Sequence, residues 1–210
     1  MNKCFLFDLD GVIFDTYELI QQSFEYTSSQ NKLVLPENYM HSVLGRPLAD
    51  CLRLFGSKEE ELPKLIERYV SFQNDNIARL VRVFPEVRET LDYLKSKGFK
   101  IGIVTGRHRA STTQLLSNFE LDSYFDAIVT SEEVKNYKPH PDHVTKALEL
   151  LEAEASKSFM VGDADVDVIA GKTAGVKTIV TAYTAGTSLN HLGPDYVIDA
   201  FNELKSLAVD

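Results

Sequence analysis

Two aspartates at the end of a short apolar run are the residues of this chain best placed to do chemistry. Asp8 and Asp10 follow the run 4–7, Cys-Phe-Leu-Phe, and Gly11 comes directly after them. A strand that is apolar on both faces belongs inside a parallel sheet, and open parallel sheets bind ligands beyond the carboxyl ends of their strands. Residues two apart leave the same face of a strand end. The pattern therefore predicts a pair of carboxylates at a ligand-binding edge, although Asp and Gly are also common in ordinary turns.

Three later segments place polar groups where an apolar run or a rigid turn ends. They are Thr105-Gly106-Arg107 after the run 100–104, Lys138 ahead of two prolines, and the aspartates Asp163, Asp165 and Asp167 after the run 158–161. A hydroxyl, a backbone amide and an ammonium group are suitable donors to a phosphoryl group, because phosphoryl transfer depends on positioning and on charge stabilisation at the equatorial oxygens.

In this order and spacing, the four segments resemble the four motifs of the haloacid dehalogenase superfamily of phosphohydrolases, and the resemblance covers the whole chain. It implies an α/β fold, with a doubly wound parallel-sheet, Rossmann-like core and an inserted α-helical cap domain that moves over the active site. The expected activity is that of a phosphatase acting on phosphoric monoesters.

The two aspartates suit a two-step phosphoryl transfer. A carboxylate that attacks phosphorus forms an aspartyl-phosphate and divides one difficult displacement into two easier ones. Asp8, at the strand end, is the predicted nucleophile. Asp10 is the predicted acid and base, provided that its pKa is raised toward the working pH; it would protonate the leaving oxygen and then deprotonate the hydrolytic water. Thr105, Lys138 and the Gly106 amide are predicted to bind and stabilise the phosphoryl oxygens.

The acidic groups need a cation beside them. Carboxylates that face a phosphate dianion repel it, and each uncompensated pair of charges about 4 Å apart costs roughly 4 kcal/mol at an effective dielectric of ~20. Oxygen ligands together with a substrate phosphate favour magnesium (Mg2+) over zinc. The family resemblance implies Asp8, the backbone carbonyl of Asp10 and Asp163 as ligands, with Asp167 acting through water or orienting Lys138.

Alternating strands and helices must position these groups. From residue 85 onward the pattern predicts helices over 85–97, 110–118, 141–154 and 166–174, and strands over 100–105, 127–130, 158–161, 178–181 and 196–198. Between residues 17 and 82 the pattern is helical instead, with apolar residues recurring on one helix face from Leu62 to Val70. We therefore predict a catalytic core of residues 1–16 and 83–210 and a helical cap of residues 17–82.

Substrate choice is expected to lie with the cap. Residues 44–47, Leu-Gly-Arg-Pro, resemble a cap loop that reaches toward the active site in related phosphatases. Arg46 is a candidate to bind a carboxylate or second phosphate of the substrate, and Arg107 is another substrate-binding candidate. A solvated arginine explains position 46 equally well, since most arginines lie on protein surfaces. Asp165 is interpreted as a turn residue.

Within the superfamily, the chain most resembles phosphoglycolate phosphatase-like enzymes with a small helical cap. A pyrophosphatase remains an alternative. A β-phosphoglucomutase-like phosphotransferase is another, although Ile20 stands where such mutases commonly have a histidine. Dehalogenases lack the second aspartate of the first motif, which is present here as Asp10. A regulatory protein without activity would have at least one motif broken, and none is.

Composition limits the partners. The chain has 210 residues, 44% of them hydrophobic, which is enough for one large domain or one domain with an insert. A net charge of −9 disfavours nucleic acid and anionic membranes as partners, and no apolar stretch approaches membrane-spanning length. Two cysteines cannot form a disulfide framework, so we expect a reduced, cytoplasmic protein. The expected substrate is a small phosphorylated metabolite, and the expected state is a monomer or weak homodimer.

Overall fold

Short strands alternate with helices over most of the chain. The computed structural model describes residues 2–31, 33–183 and 189–208. Within these residues the strands are β1 Cys4–Phe7, β2 Phe14–Asp15, β3 Arg82–Val83, β4 Lys100–Val104, β5 Ala127–Val129, β6 Phe159–Gly162, β7 Lys177–Thr181 and β8 Tyr196–Ile198. The α-helices are α1 Tyr17–Ser29, α2 Met40–Val43, α3 Leu48–Leu54, α4 Leu62–Leu80, α5 Val87–Ser96, α6 Arg109–Asn118, α7 Asp142–Leu150, α8 Asp165–Ala174 and α9 Leu204–Leu207.

Six strands form one parallel sheet in the order β5-β4-β1-β6-β7-β8. The chain moves outward from β1 in both directions, which makes the fold a doubly wound α/β structure and confirms the predicted class. Because β1 lies between β4 and β6, the carboxyl ends of these three strands meet at one edge of the sheet. The segments that follow them contain Asp8, Thr105 and Asp163, whereas Lys138 comes after β5.

Helices cover both faces of the sheet. Alternate residues of β1 point to opposite faces, so Phe5 and Phe7 lie in one fully buried cluster and Cys4 and Leu6 in another. The first cluster includes apolar side chains of α5, α6 and α9, and the second includes side chains of α7 and α8. Burial on both faces explains why the central strands read as continuous apolar runs.

The segment between β2 and β3 contains α1 to α4 and has a hydrophobic cluster of its own. Phe24, Leu52, Leu65 and Tyr69 are among its buried members. The two strands that bracket the segment pair antiparallel, with Phe14 opposite Val83. These observations support the division into a core and a cap, whose boundaries stay a prediction. Residues 1, 184–188, 209 and 210 of the predicted core and residue 32 of the predicted cap lie outside the described part of the chain.

The predicted elements differ from the observed ones mainly at their ends. The helix predicted over 141–154 ends at Leu150, because Glu152 adopts a left-handed conformation with φ of 50° and the Ala153 amide bonds back to the Leu148 carbonyl. The pattern predicted neither the β2–β3 pair nor α9. None of the helices in the described ranges has both the length and the apolar character needed to cross a membrane.

Candidate active site

Lys138 joins two carboxylates at the edge where β1, β4 and β6 end. Its Nζ donates hydrogen bonds to Asp8 Oδ1 at 2.9 Å, to Asp167 Oδ1 at 2.7 Å and to the Val104 carbonyl at 3.2 Å. The Lys138 side chain is only 2% exposed. Asp8 follows β1, Val104 ends β4 and Asp167 lies in the first turn of α8, so one ammonium group connects three segments that are distant in sequence.

Asp8, Asp163 and Asp167 form the candidate metal site. One carboxylate oxygen from each lies within 4.8 Å of the other two. Gly11 makes room for the cluster: its φ is +72°, and a Cβ atom there would lie 2.0 Å from Asp163 Oδ2. Three hard oxygen donors suit a magnesium ion, which is usually bound by few carboxylates together with water and substrate phosphate. The Asp10 side chain is not part of this cluster of described residues, and metal binding by the Asp10 backbone carbonyl stays a prediction.

The cluster carries more negative charge than its lysine balances. Burial raises the pKa of Asp8 to about 7, and the nearby Lys138 opposes this rise. Burial also raises the pKa of Asp163 well above its ordinary value, and the carboxylates of Asp167 and Asp8 add to the effect. Burial lowers the pKa of Lys138, but Asp167 and Asp8 outweigh this and the net pKa is raised. A divalent cation would remove the repulsion among the carboxylates.

Asp10 is held by an arginine. Arg107 Nε lies 2.8 Å from Asp10 Oδ2 and Nη2 lies 2.8 Å from Oδ1, while Nη1 donates to Gln73 Oε1 at 3.1 Å. Burial raises the pKa of Asp10, yet the Arg107 guanidinium and a hydrogen bond from Thr16 outweigh it and the net pKa is lowered. The sequence assigned Arg107 to substrate; in the structure its guanidinium binds Asp10, and substrate binding by Arg107 stays a prediction.

Thr105 and Gly106 line the same edge. Thr105 is 1% exposed, and its Oγ1 accepts a hydrogen bond from the Arg107 amide at 3.2 Å. Gly106 faces open space, since a Cβ atom there would meet no atom within 4 Å. The structure thus brings Asp8, Lys138 and both residues of this turn to one cavity.

The cavity has a volume of about 720 Å³ and lies between the sheet edge and helices α1, α3 and α4. The 44–47 loop reaches it, as predicted. Gly45, at φ +71°, lies so close to α8 that a Cβ atom would be 3.0 Å from Ala164 Cβ. Arg46 Nη2 lies 3.7 Å from Asp165 Oδ2, and the two side chains are 48% and 45% exposed. Asp165, the first residue of α8, therefore faces this loop.

Two contributors to the site escaped the sequence analysis. Gln73 of α4 is 5% exposed and binds Arg107, and Tyr183 after β7 donates from its hydroxyl to the Val12 carbonyl at 3.0 Å. A signal for Gln73 was present. Residues 62, 65, 69, 77 and 80 form the buried face of α4, and a glutamine at position 73 interrupts that spacing. Nothing in the sequence around Tyr183 marks its role.

Histidines take no part in the metal cluster of the described residues. His143 on α7 is fully buried. Burial, together with the charge of the nearby Lys138, lowers the pKa of His143 to about 4. This side chain is neutral at physiological pH.

Comparisons with known proteins agree with this geometry. The sequence model of the haloacid dehalogenase-like hydrolases matches residues 5–181. Pyrophosphatase PpaX of Bacillus mycoides is 39% identical over 209 residues, which cover 95% of this chain and 93% of that protein. A structure from Haemophilus somnus described as a predicted phosphoglycolate phosphatase has a TM-score of 0.88 at 20% identity and covers 99% of this chain and 98% of that one. For β-phosphoglucomutase of Clostridium difficile the TM-score is 0.84 at 23% identity, with coverage of 97% and 93%. At these identities the two structures show a shared fold.

Proposed function

This chain belongs to the haloacid dehalogenase-like hydrolases, and from that premise we propose that it is a magnesium-dependent phosphatase that acts through an aspartyl-phosphate on Asp8. The observation that carries the proposal is the placement of Lys138, which binds Asp8 and Asp167 at the sheet edge beside Asp163. A buried carboxylate held by an ammonium group, with room for a phosphate in front of it, is suited to nucleophilic attack on phosphorus.

In the proposed reaction an Asp8 oxygen attacks phosphorus as the bond from phosphorus to the leaving oxygen breaks. Asp10 gives a proton to the leaving oxygen, which requires a protonated Asp10 carboxyl in the substrate complex, whereas in the present structure Arg107 holds the pKa of Asp10 below its ordinary value. Asp10 then takes a proton from water, whose oxygen attacks the phosphorus and releases Asp8 and inorganic phosphate. Thr105 and the Gly106 amide, which line the cavity, would donate hydrogen bonds to the phosphoryl oxygens.

Asp8, Asp163 and the backbone carbonyl of Asp10 are the proposed metal ligands. A bound magnesium ion would neutralise phosphate charge and orient the phosphoryl group. Asp167 is better suited to orienting Lys138, since its Oδ1 accepts from Lys138 Nζ at 2.7 Å and its Oδ2 accepts from the Ala164 amide at 3.2 Å.

Inorganic pyrophosphate is the first substrate to test. The support comes from the relatives named pyrophosphatase PpaX, which are 36% to 39% identical over nearly the whole chain. Phosphoglycolate is the second candidate, because it carries a remote carboxylate and Arg46 lies at the cavity with its charge only loosely paired at 3.7 Å from Asp165. A β-phosphoglucomutase-like activity is the third candidate, and Ile20 at the cavity wall provides no histidine for it.

The test is a phosphate-release assay with pyrophosphate, phosphoglycolate and para-nitrophenyl phosphate, together with a separate assay for glucose 6-phosphate formed from glucose 1-phosphate, because a phosphotransferase releases no inorganic phosphate. Activity should require magnesium, disappear with a chelator, and be poorly supported by calcium, which prefers more ligands at longer distances. Asp8→Asn should retain less than about a hundredth of the wild-type kcat, a barrier increase of more than ~2.7 kcal/mol. The matched control is Asp75→Asn, at an exposed position of α4.

Full activity after exhaustive chelation would disprove the metal role, and turnover by Asp8→Asn near the wild-type rate would disprove that Asp8 is the nucleophile.

We also propose that residues 1–16 and 83–210 form the core and residues 17–82 the cap. The proposed oligomeric state is a monomer or weak homodimer, and the proposed setting is the reduced cytoplasm. Cys4 and Cys51 are both free and buried in the structure.

A further inference from the structure

We propose that Gln73, on helix α4, is a positioning residue that aims Arg107 at both Asp10 and the leaving group of the substrate. The inference rests on the proposed function, because it assigns a role within the same phosphoryl transfer. It concerns a residue that lies 34 positions from Arg107 in sequence and belongs to the helical segment rather than to the sheet.

The contacts form a chain from the helical segment to the acid and base. Gln73 Oε1 accepts a hydrogen bond from Arg107 Nη1 at 3.1 Å, and Nε and Nη2 of Arg107 hold the Asp10 carboxylate at 2.8 to 3.0 Å. Gln73 is 5% exposed and the Arg107 side chain 9%. A guanidinium is planar and rigid, so a contact at Nη1 fixes the direction of the other N–H groups.

The position of Gln73 on α4 is unfavourable for packing alone. It lies on the buried face that otherwise holds Leu65, Tyr69, Ile77 and Leu80. A buried amide without a hydrogen-bond partner costs free energy that an apolar side chain of the same size would not. The bond to Arg107 explains why a polar residue is stable on this face.

Arg107 retains donors for a ligand. A guanidinium has five N–H groups, and the contacts with Asp10 and Gln73 engage three of them, at Nε, Nη2 and Nη1. Arg107 and Gln73 both line the cavity that contains Asp8. The remaining N–H groups are the kind of donor that binds the anionic oxygens of a departing phosphate or of a carboxylate. Gln73 thereby favours substrates whose leaving group is anionic.

The experiment compares Gln73→Met, which keeps the size and removes the acceptor, with Gln73→Glu, which keeps an oxygen at the same position. For whichever of pyrophosphate or phosphoglycolate the wild type hydrolyses faster, Gln73→Met should lower kcat/KM by roughly tenfold or more. For para-nitrophenyl phosphate the loss should stay below about twofold, because nitrophenolate needs neither a proton nor an arginine to leave. In Gln73→Glu, the ratio of kcat/KM for that substrate to kcat/KM for para-nitrophenyl phosphate should return toward the wild-type value.

The matched control is Asn76→Leu, one turn later on α4. This substitution also removes a side-chain amide. In the wild type, however, the Asn76 amide is bonded to the Phe72 carbonyl and to Arg79, away from the cavity. Asn76→Leu should leave the substrate ratio unchanged. Equal losses on both substrates in Gln73→Met, or a Gln73→Glu variant that behaves like Gln73→Met, would reduce Gln73 to a packing residue and overturn the inference.

A second measurement does not depend on turnover. Unfolding of wild type, Gln73→Met, Arg107→Met and the double variant forms a double-mutant cycle, and the effects should be non-additive because the two side chains are bonded. Additive effects would overturn the inference. If the wild type releases phosphate from none of the substrates, the proposed function fails, and the cycle alone then decides whether Gln73 positions Arg107.

Discussion

Removal of the Lys138 ammonium should destabilise the protein as well as inactivate it. In Lys138→Met, Asp8 and Asp167 lose the partner that now lies 2.9 and 2.7 Å away, and both carboxylates stay buried. Removing one partner from a buried ion pair typically costs about 3–5 kcal/mol. For a chain of this size each 1 kcal/mol lowers Tm by about 2–4 °C, so we expect a fall of roughly 6–20 °C.

Unfolding in urea, followed by circular dichroism with a chelator present, measures this loss. At pH 8 the full difference between wild type and Lys138→Met should appear. Burial raises the pKa of Asp8 to about 7 in the wild type, and loss of Lys138 removes a contact that opposes this rise. Asp8 is therefore largely neutral at pH 5 in both proteins, so the difference in the free energy of unfolding should shrink there. Magnesium should restore stability more strongly in the variant, because the metal takes over part of the missing positive charge.

Lys146→Met provides the matched control. Lys146 is 45% exposed and its Nζ lies 4.0 Å from Glu149, a surface pair worth less than about 1 kcal/mol. If Lys138→Met unfolds at pH 8 within error of the wild type, Lys138 does not compensate the charge of Asp8 and Asp167. The buried triad would then owe its stability to other contacts, and the electrostatic argument for a metal would lose its basis.

Three further changes test other parts of the site. Asp10→Asn should slow phosphoglycolate hydrolysis far more than para-nitrophenyl phosphate hydrolysis, measured as kcat/KM, since only the first leaving group needs a proton; equal losses would contradict the acid role. Arg46→Ala should lower kcat/KM about ten- to a hundredfold for a substrate with a remote anion and leave kcat/KM for para-nitrophenyl phosphate nearly unchanged. An equal change for both substrates would mean that Arg46 does not bind the remote anion. His143 has a pKa near 4 in the fold and about 6.5 when unfolded, so its contribution to stability is complete above pH 6.5 and is lost as pH falls toward 4. Between pH 6.5 and pH 4 the wild type should therefore lose roughly 3 kcal/mol of unfolding free energy that His143→Leu does not lose. The variant should show a flatter plot of unfolding free energy against pH, and an unchanged slope would refute the assignment.

The sheet edge could be predicted because each of its functional groups follows a recognisable local pattern. Strands β1, β4 and β6 are neighbours in the sheet, and each is an apolar run in the sequence. Asp8 follows the first run, Thr105 the second and Asp163 the third. Parallel sheets bring such ends together, so local patterns were sufficient. The class of the fold followed from the same alternation of strands and helices.

Side-chain pairing between the sheet and the helical segment could not be predicted in the same way. Which acceptors Arg107 binds depends on its rotamer and on where α4 lies, and the spacing of residues along the chain determines neither. The glutamine at position 73 stands out only once the apolar face of α4 is established. The pair β2–β3 was missed because strands of two residues have no periodicity to detect.

That small pair has a consequence for how such an enzyme can change over evolutionary time. Phe14 lies opposite Val83 and Asp15 opposite Arg82, and residues that face each other in an antiparallel pair lie about 4.5–5.5 Å apart. The chain therefore departs from the sheet and returns to it at nearly one point. An insertion at such a gateway can be lengthened, shortened or exchanged at little entropic cost, because loop-closure entropy depends only weakly on length. A helical segment of different shape could be grafted between positions 15 and 82 to recruit a new substrate while Asp8, Lys138 and the carboxylate cluster keep their positions at the sheet edge.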